Sequence, residues 1–113
     1  MEKGDIIYVT LPNQGGHEQH GSRPNIAIVS RRMVTEMNMV LVVPVTHRLK
    51  QLRFPHTFRI EPSDQNGLAT PSVVLVNQLR VLDLGREPFN IQGRLEGHYL
   101  KQLDEELRRM LGL

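Results

Sequence analysis

Apolar residues come in short, closely spaced runs along most of the chain, and most of those runs are β-branched. Residues 5–11, with Ile6, Ile7 and Val9, and residues 25–30, with Ile26, Ile28 and Val29, each predict a strand. The segment 11–24 between them is rich in Gly, Asn, Gln and Pro, and predicts a long loop. Residues 37–46 read as a long buried strand whose Pro44 removes a ladder donor near its end, predicting an edge position or a bulge. A second loop, 47–55, leads into 56–61, where alternation predicts a half-exposed strand. A turn region at 62–71 then precedes 72–76, with 78–82 continuing that strand.

Only the C-terminus carries a helical period. Leu100, Leu103, Leu107, Met110 and Leu111 form one apolar stripe, and Asp104–Arg108 and Glu105–Arg109 are i,i+4 pairs on the opposite side. Several short strands and one terminal helix predict a mainly β, α+β chain: a small, strongly curved antiparallel sheet or barrel. With 113 residues, no repeat and no linker, one domain over 1–113 is expected.

Composition removes several classes of function. The longest apolar run, 39–45, falls far short of the ~18–20 residues of a spanning helix, and residues 1–5 lack a basic stretch leading into an apolar one. A soluble, untargeted, cytoplasmic protein with no membrane partner is expected. The absence of Cys excludes a disulfide framework, a thiol nucleophile and a thiolate metal site. With no Trp, two Tyr and three Phe, a broad base-stacking platform is poorly supplied.

The net charge of +2 conceals an asymmetry. Between positions 17 and 59, Arg23, Arg31, Arg32, Arg48, Lys50, Arg53 and Arg59 face only Glu18 and Glu36, a local balance of +5. His17, His20, His47 and His56 lie in the same stretch. A polyanion or an acidic protein tail is the natural partner of this half.

His17 and His20 stand three apart, yet Gly15, Gly16 and Gly21 around them favour a loop, and no third ligand follows at a metal-binding spacing. No metal or other cofactor is expected. There is no phosphate-cradling Gly-Lys-Ser/Thr motif and no serine-hydrolase elbow. The remaining polar constellation occupies two loops: Glu18, Gln19 and Arg23 before one strand, and Thr46, His47 and Arg48 after another. A guanidinium offers a fixed fork of donors to the non-bridging oxygens of a phosphate, and a threonine hydroxyl offers one more donor. Presented from a rigid sheet, the two would stabilise in-line phosphoryl transfer.

The order of these residues is recognisable. Gly4-Asp-Ile-Ile-Tyr-Val-Thr-Leu11, the core Glu18-Gln-His-Gly-Ser-Arg-Pro24, Val43-Pro-Val-Thr46 and Ser72-Val-Val-Leu-Val-Asn-Gln-Leu-Arg80 together resemble the MazF/PemK family of toxin endoribonucleases. The resemblance spans nearly the whole chain. It implies a small SH3-like antiparallel β-barrel of the CcdB/MazF type, a homodimer, and sequence-specific, metal-independent cleavage of single-stranded RNA by the ribose 2′-hydroxyl. By motif, Arg23 and Thr46 match the family's catalytic Arg and Thr, Glu18 its catalytic loop acid and the matched candidate for the base that takes the 2′-proton, and Gln19 and Gln78 its amides. Arg80 belongs to the matched Leu-Arg pair, while His47 and Arg48 open the loop that would touch RNA. The sequence departs from the pattern at His17, where Ser is common; His17 or His20 would serve as base or contact RNA. The resemblance further implies a cognate antitoxin with an acidic, disordered tail. Two other readings stand beside it: a CcdB-like gyrase poison, which has no use for an Arg23/Thr46 clamp, and a non-catalytic nucleic-acid-binding regulator.

Overall fold

The structure, a computed structural model, describes residues 1–10 and 22–113. Strand β1 (Asp5–Thr10) pairs antiparallel with β2 (Ser22–Ile28), placing Ile6 opposite Ile26, and β2 pairs with β3 (Met39–Thr46), placing Ile26 opposite Val43. Alternation sends Ile6, Ile26, Val43 and Val45 to one face and Ile7, Val9, Ala27, Val40 and Val42 to the other, and both faces are buried. A strand covered on both faces has no polar phase, so these segments read as almost unbroken apolar runs.

Four shorter strands complete the sheet: β4 (Thr57–Ile60), β5 (Ser72–Leu75), β6 (Arg80–Asp83) and β7 (Phe89–Arg94). The order is β4-β5-β3-β2-β1-β7, with β6 added to β3, and every pairing is antiparallel. Strand β3 is thus central. Its residues 39–42 pair with β6 and its residues 45–46 with β5. Pro44 falls between the two partners, opposite Asn25 of β2, where neither β5 nor β6 requires a ladder donor from it. This corrects the expectation of an edge or a bulge there. The irregularity in the sheet's registers lies instead between Ile6 and Ile7, where β1 meets β7.

The same change of partner corrects the reading of residues 72–82 as one continued strand. To serve opposite ends of β3 the chain must turn, and it does so through a short 3-10 turn at Val76–Gln78. Two further elements carry no sequence signal. Helix α1 (Arg31–Met37) buries no residue and touches the core chiefly through Val34, so the strand expected from position 37 begins at Met39. Asn38 ends that helix in the left-handed region, φ 54, its N–H bonded to the Met33 and Val34 carbonyls. Strand β7 lies at the sheet edge and is mostly exposed, so it shows no alternation.

Helix α2 (Gly97–Leu111) is where its stripe predicts. Leu103 is fully buried, and Leu100, Leu107 and Met110 pack on the cluster of Ile6, Val43 and Ile60. Leu111 is 51% exposed and departs from the stripe, because Gly112, φ 73, ends the helix beside it. The two expected i,i+4 ion pairs give way to others: Asp104 takes Lys3 at 2.7 Å, and Arg109 takes Glu106 at 2.7 Å. The mainly β architecture with a C-terminal helix matches the expected class, with seven strands in place of about five.

One buried amide sets the course of the chain beneath α2. Asn66 is fully buried and satisfied: its Nδ2 donates to the Glu61 carbonyl at 2.9 Å and to Glu96 Oε1 at 3.1 Å, and its Oδ1 accepts from the Ser63 and Leu68 N–H groups at 3.0 Å each. A buried polar group with every bond made resists displacement, so residues 61–68 deliver the chain to β5 along one path.

Candidate active site

Arg23 near the start of β2, Thr46 at the end of β3 and His47 just beyond it line a single cavity of about 220 Å³. Tyr8 of β1, Pro24 of β2 and the segment 68–72 close it. The sheet registers explain the meeting. Tyr8 lies opposite Pro24, Val9 opposite Arg23, and Thr46 opposite Val73, one residue beyond Ser72. A larger cavity of about 340 Å³ is lined by residues 84–89 alone, a turn folded on itself rather than groups converging from separate elements.

Thr46 Oγ1 accepts the Arg48 backbone N–H at 3.3 Å. The hydroxyl oxygen therefore closes the strand end, and its hydrogen stays available to an oxygen arriving in the cavity. Arg23 is half-buried, and its carbonyl accepts Asn25 Nδ2 at 3.2 Å. Asn25, fully buried, in turn accepts Arg80 Nη2 at 3.4 Å through its Oδ1. Arg80 thus stands behind the Arg23 backbone and is no part of the cavity wall. Burial pushes the Tyr8 phenol above its ordinary value, so the ring presents an intact O–H. Among the described residues no carboxylate lines the cavity, which makes it a cationic, donor-rich recess.

Of the residues expected at the site, the structure brings Arg23, Thr46 and His47 together. Arg48 lies one step outside, exposed, and Gln78, also exposed, ends the 3-10 turn and does not line the cavity. His17, Glu18, Gln19 and His20 lie outside the described residues. Sequence reasoning missed Tyr8 and the wall at 68–72. Only the pairing of Tyr8 with Pro24 brings it beside Arg23.

This fold and this recess define a small β-barrel of the MazF type. The chain superposes over its full length on the MazE–MazF complex of Deinococcus radiodurans, with a TM-score of 0.78, 23% identity and 96% of that chain covered. Sequence comparison goes further. The family described as PemK-like, MazF-like toxin of type II toxin–antitoxin system matches residues 2–111. Endoribonuclease toxin ChpB of Escherichia coli strain K12 is 35% identical over 87 residues, which span 74% of this chain and 71% of that protein. Endoribonuclease PemK of Escherichia coli is 34% identical over 85 residues, 74% of this chain and 62% of that protein. The chain belongs to the PemK-like, MazF-like family of type II toxins.

Proposed function

We propose that this chain, as a single toxin domain, is an endoribonuclease that cuts single-stranded RNA at a short sequence without a metal ion, and that a cognate antitoxin with an acidic, disordered tail neutralises it. The observation that carries the reading is the meeting of Arg23 and Thr46 in one cavity. The names of the two relatives, both endoribonucleases, supply the reaction class. They also favour this reading over a gyrase poison or a passive nucleic-acid binder.

The scissile phosphate binds with its non-bridging oxygens on the Arg23 fork and the Thr46 hydroxyl. The neighbouring 2′-oxygen attacks phosphorus as its proton leaves to a base; the bond from phosphorus to the 5′-oxygen breaks, and that oxygen takes up a proton. The products are a 2′,3′-cyclic phosphate, or the 3′-phosphate to which it opens, and a 5′-hydroxyl. Arg23 and Thr46 act on charge that grows in the phosphorane, so their donors count for more in the transition state than in the ground state. Arg48, Lys50 and Arg53 on the exposed segment after β3 supply phosphate contacts along the strand. Glu18, Gln19, His17, His20, Gln78 and Arg80 remain the motif-matched contributors. Exposed Met37 and Leu111 offer apolar surface to a homodimer in the cytoplasm.

The test is incubation of the purified protein with a long unstructured RNA in EDTA, beside Arg23→Ala and Thr46→Ala, followed by mapping of 5′ ends. Cleavage at one recurring short sequence, lost in both variants, is the expected result. Absence of cleavage, or cleavage that survives both substitutions, sinks the reading.

A further inference from the structure

The transfer needs a group to receive the 2′-proton, and that group must stand at the wall where the phosphate binds. In a near-attack geometry the 2′-oxygen lies only about 3–3.5 Å from phosphorus. With the phosphate on Arg23 and Thr46, the base therefore faces the same recess of about 220 Å³.

The wall offers few choices among the described residues. A guanidinium is a set of donors with no lone pair to offer, which excludes Arg23. Thr46, Thr70 and Ser72 carry hydroxyls, which are far too weak as bases; Ser72 moreover is buried and donates its proton to the Thr70 carbonyl at 2.9 Å. The Tyr8 phenol is held in its protonated form by burial, so it donates. One wall residue remains with a nitrogen lone pair able to accept a proton, the imidazole of His47.

We propose that His47 is the general base of the cleavage, resting on the nuclease reading above. It follows Thr46 directly, and Thr46 is laddered to Val73 of β5, so the backbone that carries the imidazole leaves from a paired strand end. Its side chain is exposed, which leaves the ring free to reach a ribose seated at the mouth of the cavity. Among the described residues, the titratable and charged groups that line the recess with it are Tyr8 from β1 and Arg23 from β2, with exposed Arg48 its neighbour in the chain; Thr70 and Ser72 add only hydroxyls. In the step, an imidazole nitrogen takes the 2′-proton as the bond from the 2′-oxygen to phosphorus forms. The departing 5′-oxygen leaves from the opposite apex of phosphorus and takes its proton from water, to which the imidazolium afterwards gives up its own. A donor from the neutral Tyr8 phenol completes the set of hydrogen bonds around the phosphate.

The experiment is single-turnover cleavage, in EDTA, of a short RNA carrying the mapped cut site, from about pH 5 to about pH 9, by the unaltered protein, His47→Gln, Glu18→Gln and Arg23→Ala. His47→Gln is expected to lower the rate about 100-fold and to abolish the acidic limb of the profile, with affinity for a 2′-deoxy analogue changed less than about threefold. Added imidazole is expected to restore part of the rate. Retention of the limb in His47→Gln, with weakened binding alone, makes His47 an RNA contact and overturns the assignment. Loss of the limb in Glu18→Gln alone transfers the role to Glu18 and overturns it equally. If the unaltered protein does not cleave, or Arg23→Ala cleaves as well as it does, the nuclease reading itself fails; when those two controls behave as expected, a limb retained in His47→Gln overturns the assignment alone.

Discussion

His56 Nδ1 donates to Glu106 Oε1 at 2.7 Å, tying the entrance of β4 to the second half of α2. His56 sits in the left-handed region, φ 59, and its carbonyl accepts the Asn77 N–H at 3.1 Å. Asn77 Nδ2 donates to the Pro55 carbonyl at 3.2 Å. The far end of the basic segment after β3 is thereby fastened to the helix and to the 3-10 turn. Thr57 Oγ1, which donates to the Phe54 carbonyl at 2.9 Å, adds a further hold.

This fastening predicts an acid sensitivity. Burial alone would push the Glu106 carboxyl up, but the hydrogen bonds and charges of His56 and Arg109 outweigh it and hold the carboxyl below the ordinary Glu range. A carboxyl with a lowered folded value contributes stability that is fully present above the ordinary Glu range and lost as pH falls through the lowered one. Glu106→Gln is expected to lose about 1 kcal/mol near neutral pH and to converge on the unaltered protein in acid. Urea titrations of both proteins at about pH 6 and about pH 3 check this; a constant gap would sink it.

Arg23→Lys separates charge from shape. Lysine keeps the positive charge and gives up the planar fork, so cleavage is expected to fall by about 10- to 100-fold with RNA affinity nearly unchanged. Rates near those of the unaltered protein, measured under single turnover, would show that charge alone suffices.

At Gly93 there is no room for a side chain. A Cβ there would come within 2.2 Å of the Asn66 carbonyl oxygen, a backbone atom held by the network around Glu96. Gly93→Ala is expected to lose at least about 2 kcal/mol, by shifting β7 or the segment beneath α2. A chemical melt within about 0.5 kcal/mol of the unaltered protein would contradict this close approach.

Leu103→Ala tests how the helix is held. Leu103 is fully buried against the inner face of the sheet, and its truncation is expected to cost about 2–5 kcal/mol. Calorimetry would reveal the loss as a lowered Tm, and an unchanged Tm would mean that α2 is not part of the cooperative unit.

Salt dependence reports on the exposed cations. If Arg48, Lys50 and Arg53 each meet a phosphate, replacing all three by Gln should flatten the plot of log affinity against log salt by about 2. Equal slopes for the two proteins would place the strand elsewhere.

Strands β1, β2 and β3 were legible because burial on both faces leaves an apolar run that nothing else resembles. Helix α2 was legible through the period set by Leu100, Leu103 and Leu107. Helix α1 and strand β7 were not, because a pattern records burial and these elements bury almost nothing. Pro44 misled for a related reason: proline in a strand signals a missing partner, and the gap lay between two partners of a central strand rather than at an edge. At the site, motif order singled out Arg23 and Thr46 without any geometry. The place of Tyr8 was not legible, because its nearness to Arg23 depends on the register of β1 against β2, which a single chain does not print.

Because β3 is laddered to three other strands, its amides are the ones most shielded from solvent, and they should exchange hydrogen only when the whole chain opens. Thr46 ends that strand. Its backbone is laddered to Val73 of β5, so the Thr46 side of the recess is anchored in the sheet, and bending it out of shape would disturb that ladder. An inhibitor of this chain has a far smaller task in covering the recess than in deforming it, so silencing by occlusion, reversible whenever the cover is removed, is the mode that this architecture favours.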